Sequence, residues 1–546
     1  MSEVDLEAAL DAVLAPLERS DAPGLIVAAA QHGELRYRKA FGLASVAQGR
    51  ANTPSTRMRI GSTAKQFTAL AVLLVEEEGR LRLDDPVRLH LPELPVWADQ
   101  TTLRQLLHHT GSVPCPVADG FVASGSARHA RGEVWRALRR PRTLSAPPGQ
   151  RWLYSNGGYH LLSLIVERAS GQDFAGFLRE RIFQPLGMHA SDCVPSDMDI
   201  TPGLADLHVA WSGGGWRRGV FPNEEMLGEG GIVSTADDML RWLAHLREPT
   251  RLGSAASWSL MLERATLADG TRMPYAMGIL HSRHRGIATL VHAGGVVGGA
   301  CQALAAPEAG IDVVVLSNGA QASVTQLAQR VLELLAGSEE QLQPEGLPHA
   351  RVSAFPGLAG TTYHAPSTGL QLGFKAVGEL LGVSLFGNGA VPLRSDGEFL
   401  RLPFEDAGLG PLHMSLQGAG DATLDVWEGA LRHSCVRLPE AAGDIGELAP
   451  SLCGRYRCAD LDADAIVSRG GDDLLLDMHG RAGTQTMQLS LQGRDALTWR
   501  VADPVMPLVG TARIEYGAGG EAAALWLNAW SSRQLRFARV PEGELK

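Results

Sequence analysis

Between Gly61 and Gly79, apolar residues fall at Phe67, Leu70, Ala71, Leu74 and Val75, the i, i+3, i+4, i+7, i+8 spacing of one helix face. Val72 and Leu73 leave almost no polar face before Glu76, Glu77 and Glu78, so the pattern predicts a buried helix. Upstream, Leu6 to Leu17 reads as a first amphipathic helix. Leu25 to Ala30 reads as a strand that turns at His32-Gly33 into Leu35 to Gly42, an antiparallel hairpin. A short helix follows at Thr102 to Gly111, with Thr102 as its cap, and a longer one at Leu161 to Ser170, closed by Gly171. The polar run Tyr154-Ser155-Asn156 sits at the loop entering that longer helix. Gly228 to Met239 reads as strand, loop and helix, with Ser234 or Thr235 as the cap. Strands are expected from Thr289 to Gly295, Cys301 to Ala305 and Ile311 to Ser317, before a helix at Val324 to Leu335. Helices at both ends of an antiparallel sheet predict an α+β domain.

Gly337 to Pro348 is polar and rich in Glu, Gln and Pro, the composition of a linker, and short strands and turns follow it. Pro356-Gly357-Leu358-Ala359-Gly360-Thr361-Thr362-Tyr363 resembles Pro450-Ser451-Leu452-Cys453-Gly454-Arg455-Tyr456. Val436-Arg437-Leu438-Pro439-Glu440 resembles Ala538-Arg539-Val540-Pro541-Glu542. Matching starts and matching ends about a hundred residues apart predict two copies of one small antiparallel β-barrel domain. The expected division is therefore 1–336, a linker at 337–348, then 349–442 and 443–546.

The chain of 546 residues exceeds one ordinary core. Its net charge of −11, with no basic patch to offset it, argues against a nucleic-acid partner. Met1 to Glu7 is acidic and shows no basic segment followed by an apolar run, and nowhere do about 18 apolar residues run together. The expectation is a cytoplasmic protein without a membrane span. Six scattered cysteines read as free thiols. Cys453 and Cys458 lack a second Cys/His pair nearby, and His108-His109 lacks a third ligand, so neither metal nor cofactor is expected.

Candidate chemistry lies at the start of the Gly61–Gly79 helix. Ser62 and Lys65, three residues apart, share a face there with β-carbons ~5–6 Å apart. The helix start adds backbone N–H groups and the positive dipole end. Burial in an apolar pocket penalises an ammonium, so Lys65 is expected to serve as a base for the Ser62 hydroxyl near neutral pH.

Three motifs in order, Ser62-Thr63-Ala64-Lys65, Tyr154-Ser155-Asn156 and His292-Ala293-Gly294, resemble the S-x-x-K, Y-x-N and K-T-G elements of the penicillin-recognising serine hydrolases, the class C β-lactamase-like superfamily. Leu106-Leu107-His108-His109-Thr110-Gly111 and Gly230-Gly231-Ile232-Val233-Ser234-Thr235-Ala236 are similar to further phrases of that superfamily, and the resemblance covers roughly residues 5 to 335. It implies Ser62 as the acylated nucleophile, Lys65 as its base, Tyr154 as proton donor to the leaving amine and Asn156 as a contact to a substrate amide. His292 and Gly294 would line the sheet edge, with Ser62 and Gly295 supplying oxyanion N–H groups.

A histidine stands where K-T-G has the lysine that attracts a substrate carboxylate, and an unperturbed histidine is mostly neutral at pH 7. H-x-G together with two extra β-domains resembles the D-aminopeptidase branch. That resemblance implies substrates with a free N-terminal amine: short peptides, amides or esters carrying a D-residue. It also implies a loop of the last domain, near 476–487, that helps select the amine, with Asp477 as candidate partner. The alternatives are a broad esterase or D,D-peptidase of the same superfamily, and a non-catalytic peptide sensor. Oligomeric state is left open, a homodimer being the candidate.

Overall fold

The computed structural model describes residues 3–140, 143–337, 347–402, 412–415, 422–439, 444–471, 473–493, 495–501, 503, 508–529 and 531–541. Most of the expected linker lies outside these.

A six-stranded antiparallel sheet organises the first part of the chain. Its strand order is Leu280–His284, Ile287–Val296, Gly299–Ala306, Ile311–Ser317, Leu25–Gln31 and Glu34–Phe41. The strand Leu25–Gln31 is apolar without alternation because both of its faces are covered. Leu25, Val27 and Ala29 meet the helix Val324–Ala336, while Ile26 and Ala28 belong to the main core on the other face. That main core contains the helix Lys65–Glu77, in which every residue from Lys65 to Val75 is buried, as the pattern predicts.

Other expected elements appear with small shifts of boundary. Thr102 caps Leu103–Leu107 in a full capping box with Gln105. Thr235, rather than Ser234, caps Ala236–Arg247. The long helix starts earlier than its apolar spacing indicates. It runs Asn156–Ser170 with Ser155 as cap, and Gly171 closes it at φ 76°. The first turn of this helix carries Asn156, Gly157, Gly158 and Tyr159, which an apolar count passes over.

The C-terminal strands form two antiparallel bodies. A nine-stranded sheet ends at two short strands, Val391–Pro392 and Arg394–Ser395, separated by Leu393 alone, so it is nearly closed. Eight strands from Gly454–Cys458 to Leu535–Arg539 form a closed barrel. The sequence repeat has a structural counterpart. Tyr363 pairs with Arg437 across the first and last strands of one body, and Tyr456 pairs with Arg539 across those of the other. Both tyrosines are fully buried.

One expected element differs. The segment around Asp477 is a continuous strand, Asp473–His479, and the turn is confined to Gly480–Gly483. Leu474, Leu476 and Met478 point into the barrel, which fixes the alternation and sends Asp477 to the outer face.

Candidate active site

Gly61–Ala64 forms a single tight helical turn that leads directly into Lys65–Glu77. The turn lies against the strand Ile287–Val296, and glycines make that approach possible. A β-carbon on Gly294 would stand 1.8 Å from the Ile60 carbonyl oxygen and 3.0 Å from the Ser62 nitrogen. One on Gly61, whose φ is 51°, would stand 2.7 Å from the Gly295 nitrogen. Thr63 Oγ1 adds a hydrogen bond to the His292 carbonyl at 3.1 Å. The backbone of Ser62 and the Gly294-Gly295 segment are thereby held side by side.

Lys65 is fully buried, and its ammonium donates to Ser62 Oγ at 3.2 Å, Asn156 Oδ1 at 2.8 Å and the Glu229 carbonyl at 2.6 Å. The nitrogen lies 4.8 Å from the Tyr154 ring centroid and 5.5 Å from that of Tyr159. Burial lowers its pKa to about 7, against a smaller upward pull from the Glu229 carboxylate. Tyr154 is hydrogen-bonded to the Ser62 side chain, and burial raises its pKa, so its phenol keeps its proton at neutral pH. A half-neutral amine, a hydroxyl and a protonated phenol therefore meet at one point, the set needed to activate a serine and to reprotonate a leaving group.

The H-x-G strand meets this cluster on its uncharged side. His292 is buried, its Nδ1 donates to the Ala293 carbonyl at 2.7 Å, and its Nε2 accepts from the Tyr275 hydroxyl at 3.0 Å. Burial and the Lys65 charge lower its pKa to about 3, so it carries no cation. Strand Leu280–His284 pairs with Ile287–Val291 only. Beyond that point the edge residues His292 to Val296 have one ladder partner among the described residues, the strand beginning at Gly299. An extended substrate can add to the open side by main-chain hydrogen bonds.

Ser62, Lys65, Tyr154, Asn156, His292, Gly294 and Gly295 thus come together. Asp477 is placed differently: its carboxylate accepts from Thr486 Oγ1 at 2.6 Å across the barrel ladder. The part of that hairpin facing the catalytic region is the turn. A β-carbon on Gly480 would meet Ser124 Oγ at 2.2 Å, and Gln485 Nε2 donates to the carbonyls of Phe121, at 2.7 Å, and Val122.

Three further residues complete the site, and of these the sequence brought forward only His109, without a role. Glu229, inside the Gly-rich stretch, turns its carbonyl to Lys65 and its carboxylate to His160 Nδ1 at 3.2 Å. Burial alone would depress His160, but the Glu229 carboxylate overrides it and raises the pKa. His109, in the left-handed region at φ 57°, accepts the Ser155 N–H on Nδ1 and packs at a tilt against the rings of Tyr154, Tyr159 and Tyr275. Burial and the Lys65 charge push His109 well below its usual pKa. Tyr275 lies on no regular element, and a lone tyrosine gives no pattern to find. His108-His109 was visible as a pair that lacks a third ligand at metal spacing, and within the phrase Leu106 to Gly111, but neither gave it a role. Among the described residues no group of three or more His, Cys, Asp or Glu stands where it could hold a metal ion.

Beside this geometry stand four likenesses to known proteins. The β-lactamase family model matches residues 8–336. The D-aminopeptidase of Brucella canis is 26% identical over 571 aligned positions, spanning 99% of this chain and 100% of that protein. Among solved structures, an octameric penicillin-binding protein homologue from Pyrococcus abyssi superposes with a TM-score of 0.54 at 20% identity, covering 99% of this chain and 100% of that one. A D-amino acid amidase from Ochrobactrum anthropi SV3, complexed with L-phenylalanine amide, gives 0.51 at 24% identity over 61% of this chain and 98% of that one. At such identities the two structures speak for the fold.

Proposed function

This chain belongs to the β-lactamase family, and from that premise we propose that it is a serine-type D-aminopeptidase, releasing N-terminal D-residues from short peptides, amides and esters. The observation that carries the reading is the contact of Lys65 Nζ with Ser62 Oγ at 3.2 Å inside a pocket that lowers the lysine to about 7. In this mechanism neutral Lys65 takes the Ser62 proton as Oγ attacks the substrate carbonyl carbon. The oxyanion sits at the N–H groups of Ser62 and Gly295. Tyr154 gives its proton to the departing amine and is reprotonated by the Lys65 ammonium, which leaves Lys65 neutral again; the acyl group stays on Ser62 until water, deprotonated by Lys65, hydrolyses the ester and that proton passes to Ser62 Oγ.

The choice of substrate is supported by two features. The uncharged His292 offers no cation to a C-terminal carboxylate, which favours amides and esters over carboxypeptidase substrates. The full-length likeness to a D-aminopeptidase includes the C-terminal strands, which a minimal serine hydrolase of this family does not need. We place amine selection in the barrel hairpin whose turn, Gly480–Gly483, meets the helix Pro116–Ser124. No helix among the described residues is long and apolar enough to cross a membrane. The six cysteines are all unpaired, which supports a reducing compartment and a cytoplasmic location.

The test is a panel of D- and L-amino-acid p-nitroanilides beside penicillins and C-terminal D-Ala-D-Ala peptides. The D-residue p-nitroanilides are expected to turn over faster than their L-counterparts, the penicillins and the D-Ala-D-Ala peptides. Faster turnover of β-lactams or D-Ala-D-Ala peptides would replace the aminopeptidase reading with a D,D-peptidase.

A further inference from the structure

The nine-stranded sheet sends one hairpin into the catalytic part of the molecule. Strands Thr423–Glu428 and Leu431–Arg437 are joined by Gly429-Ala430, a two-residue turn with Gly429 at φ 61°. The turn lies on the backbone of Gln150 and Arg151. Ala430 N donates to the Gln150 carbonyl at 2.8 Å, and a β-carbon on Gly429 would stand 2.8 Å from that same oxygen and 3.3 Å from Arg151 Cα.

At the base of the turn Glu428 is buried with three cationic or titratable neighbours from three different bodies of the fold. Arg151 Nη1 lies 3.4 Å away, Arg533 Nη2 of the closed barrel 3.5 Å and His433 Nε2 3.6 Å. The side chains of Arg151, Glu428 and Arg533 are no more than 7% exposed. Burial alone would raise the Glu428 carboxyl, but the two guanidiniums hold it far below the usual range, so it is an anion in the native state. A buried ion pair is a poor way to gain stability, because apolar residues of the same volume do as well or better. What it gives is a defined geometry.

That geometry is passed to the site by a short, fully fastened segment. Arg151 Nη2 donates to Ser145 Oγ at 2.7 Å, Gly149 N to the Thr110 carbonyl at 2.8 Å, Leu153 N to the His109 carbonyl at 2.8 Å, and Ser155 N to His109 Nδ1 at 3.2 Å. Tyr154 and Asn156 lie within this segment or directly after it.

We propose that Glu428 is a positioning residue: by holding Arg151 and seating its turn on Gln150, it fixes Tyr154 and Asn156 against Ser62 and Lys65. The nine-stranded sheet then contributes to catalysis without touching substrate. The proposal rests on the roles given above to Ser62, Lys65 and Tyr154.

The experiment uses the full chain and two readouts: steady-state hydrolysis of D-alanine p-nitroanilide, and the burst of p-nitrophenol released from p-nitrophenyl acetate as Ser62 is acylated. Glu428→Gln and Gly429→Ala are compared with Arg533→Gln, which disturbs the same buried cluster from the barrel side. Thermal midpoints and the folded fraction are measured for each. Because misplacing a catalytic group by ~1 Å can cost up to ~100-fold, Glu428→Gln and Gly429→Ala should lower kcat and the burst rate about tenfold or more. kcat should fall by more than KM rises, since Tyr154 acts on the departing group and of the two only Asn156 touches bound substrate. Arg533→Gln should destabilise the fold but keep the kcat of the folded enzyme. If Glu428→Gln does not fold, Gly429→Ala carries the same criterion, because it pushes the turn away without altering charge. Equal loss of kcat in Glu428→Gln and Arg533→Gln, or no loss in the turn variants, overturns the positioning role. A wild type that gives the burst but no turnover of the D-alanine substrate overturns the substrate reading alone, and the burst rates still decide the proposal. A wild type with neither p-nitrophenol release nor acetylation of Ser62 overturns both.

Discussion

Tyr275 donates its hydroxyl proton to His292 Nε2 at 3.0 Å, and with Nδ1 bound to the Ala293 carbonyl this leaves His292 no nitrogen for a proton or a substrate anion. The position that carries a lysine in K-T-G is therefore both neutral and internally satisfied. Lys65 is left without a neighbouring cation, and its pKa follows from burial opposed by Glu229.

Changing His292→Lys tests that relationship. A second ammonium would disfavour the charged form of Lys65 and offer an attractor for carboxylates. The acid limb of kcat/KM should move to lower pH, and peptides with a free C-terminal carboxylate should gain on amides. Tyr275→Phe should orphan His292 Nε2 and cost about 1–3 kcal/mol of stability, read by denaturant titration.

Lys65 gives the pH dependence its sign. Its base form predominates above about 7, so kcat/KM should rise through that pH. Stability follows by linkage: the folded pKa lies below the ordinary 10.5, so the unfolded chain binds more protons between about 7 and 10.5. The cost of burying Lys65 should be greatest below pH 7 and fade as pH rises across that window. Chemical denaturation of wild type and Lys65→Met at pH 6, 8 and 9.5 checks this, the difference between them shrinking with pH.

Ser62→Ala and Lys65→Ala should each lower kcat roughly 10³-fold or more, and the double variant should be little worse than either. Additive losses in single-turnover assays would mean that the two residues do not act as a unit.

Gly294→Ala should be among the most damaging single methyl additions, since its β-carbon would stand 1.8 Å from the Ile60 carbonyl. Strand and nucleophile turn must then separate. Loss of the burst with p-nitrophenyl acetate, together with a lowered thermal midpoint, is the expected result. Gly295→Ala meets nothing within 4 Å and should fold normally.

The barrel hairpin is tested at its anchor. Gln485 holds the carbonyls of Phe121 and Val122, and the helix carrying them begins at Pro116, against Gly157 beside Asn156. Gln485→Ala should lower the ratio of free-amine to N-acetylated substrate turnover. Asp477→Asn should leave that ratio unchanged, because its carboxylate is bonded to Thr486 on the outer wall.

The sequence alone determined what depends on local periodicity and on spacing along one element. Phe67, Leu70, Ala71, Leu74 and Val75 dictate a buried helix because a 3.6-residue repeat with no polar face must be covered on all sides. The three-residue spacing brings Ser62 within reach of Lys65, through the tight turn Gly61–Ala64 that leads into that helix. The paired tyrosine and arginine ends disclosed a repeated β-body, since each body must join its first strand to its last. Tertiary structure decided what depends on where distant segments meet. The family resemblance implied a loop around Asp477, but the barrel's alternation put it mid-strand and facing outward. Glu229, His109 and Tyr275 carry no periodic signal, and they matter because folding sets Glu229 on Lys65, His109 on Ser155 and Tyr275 on His292. Glu428 lies 277 positions from Arg151 in the chain. Only the docking of separate bodies gives that carboxylate its partners, because burial and Coulomb interaction depend on distance in space.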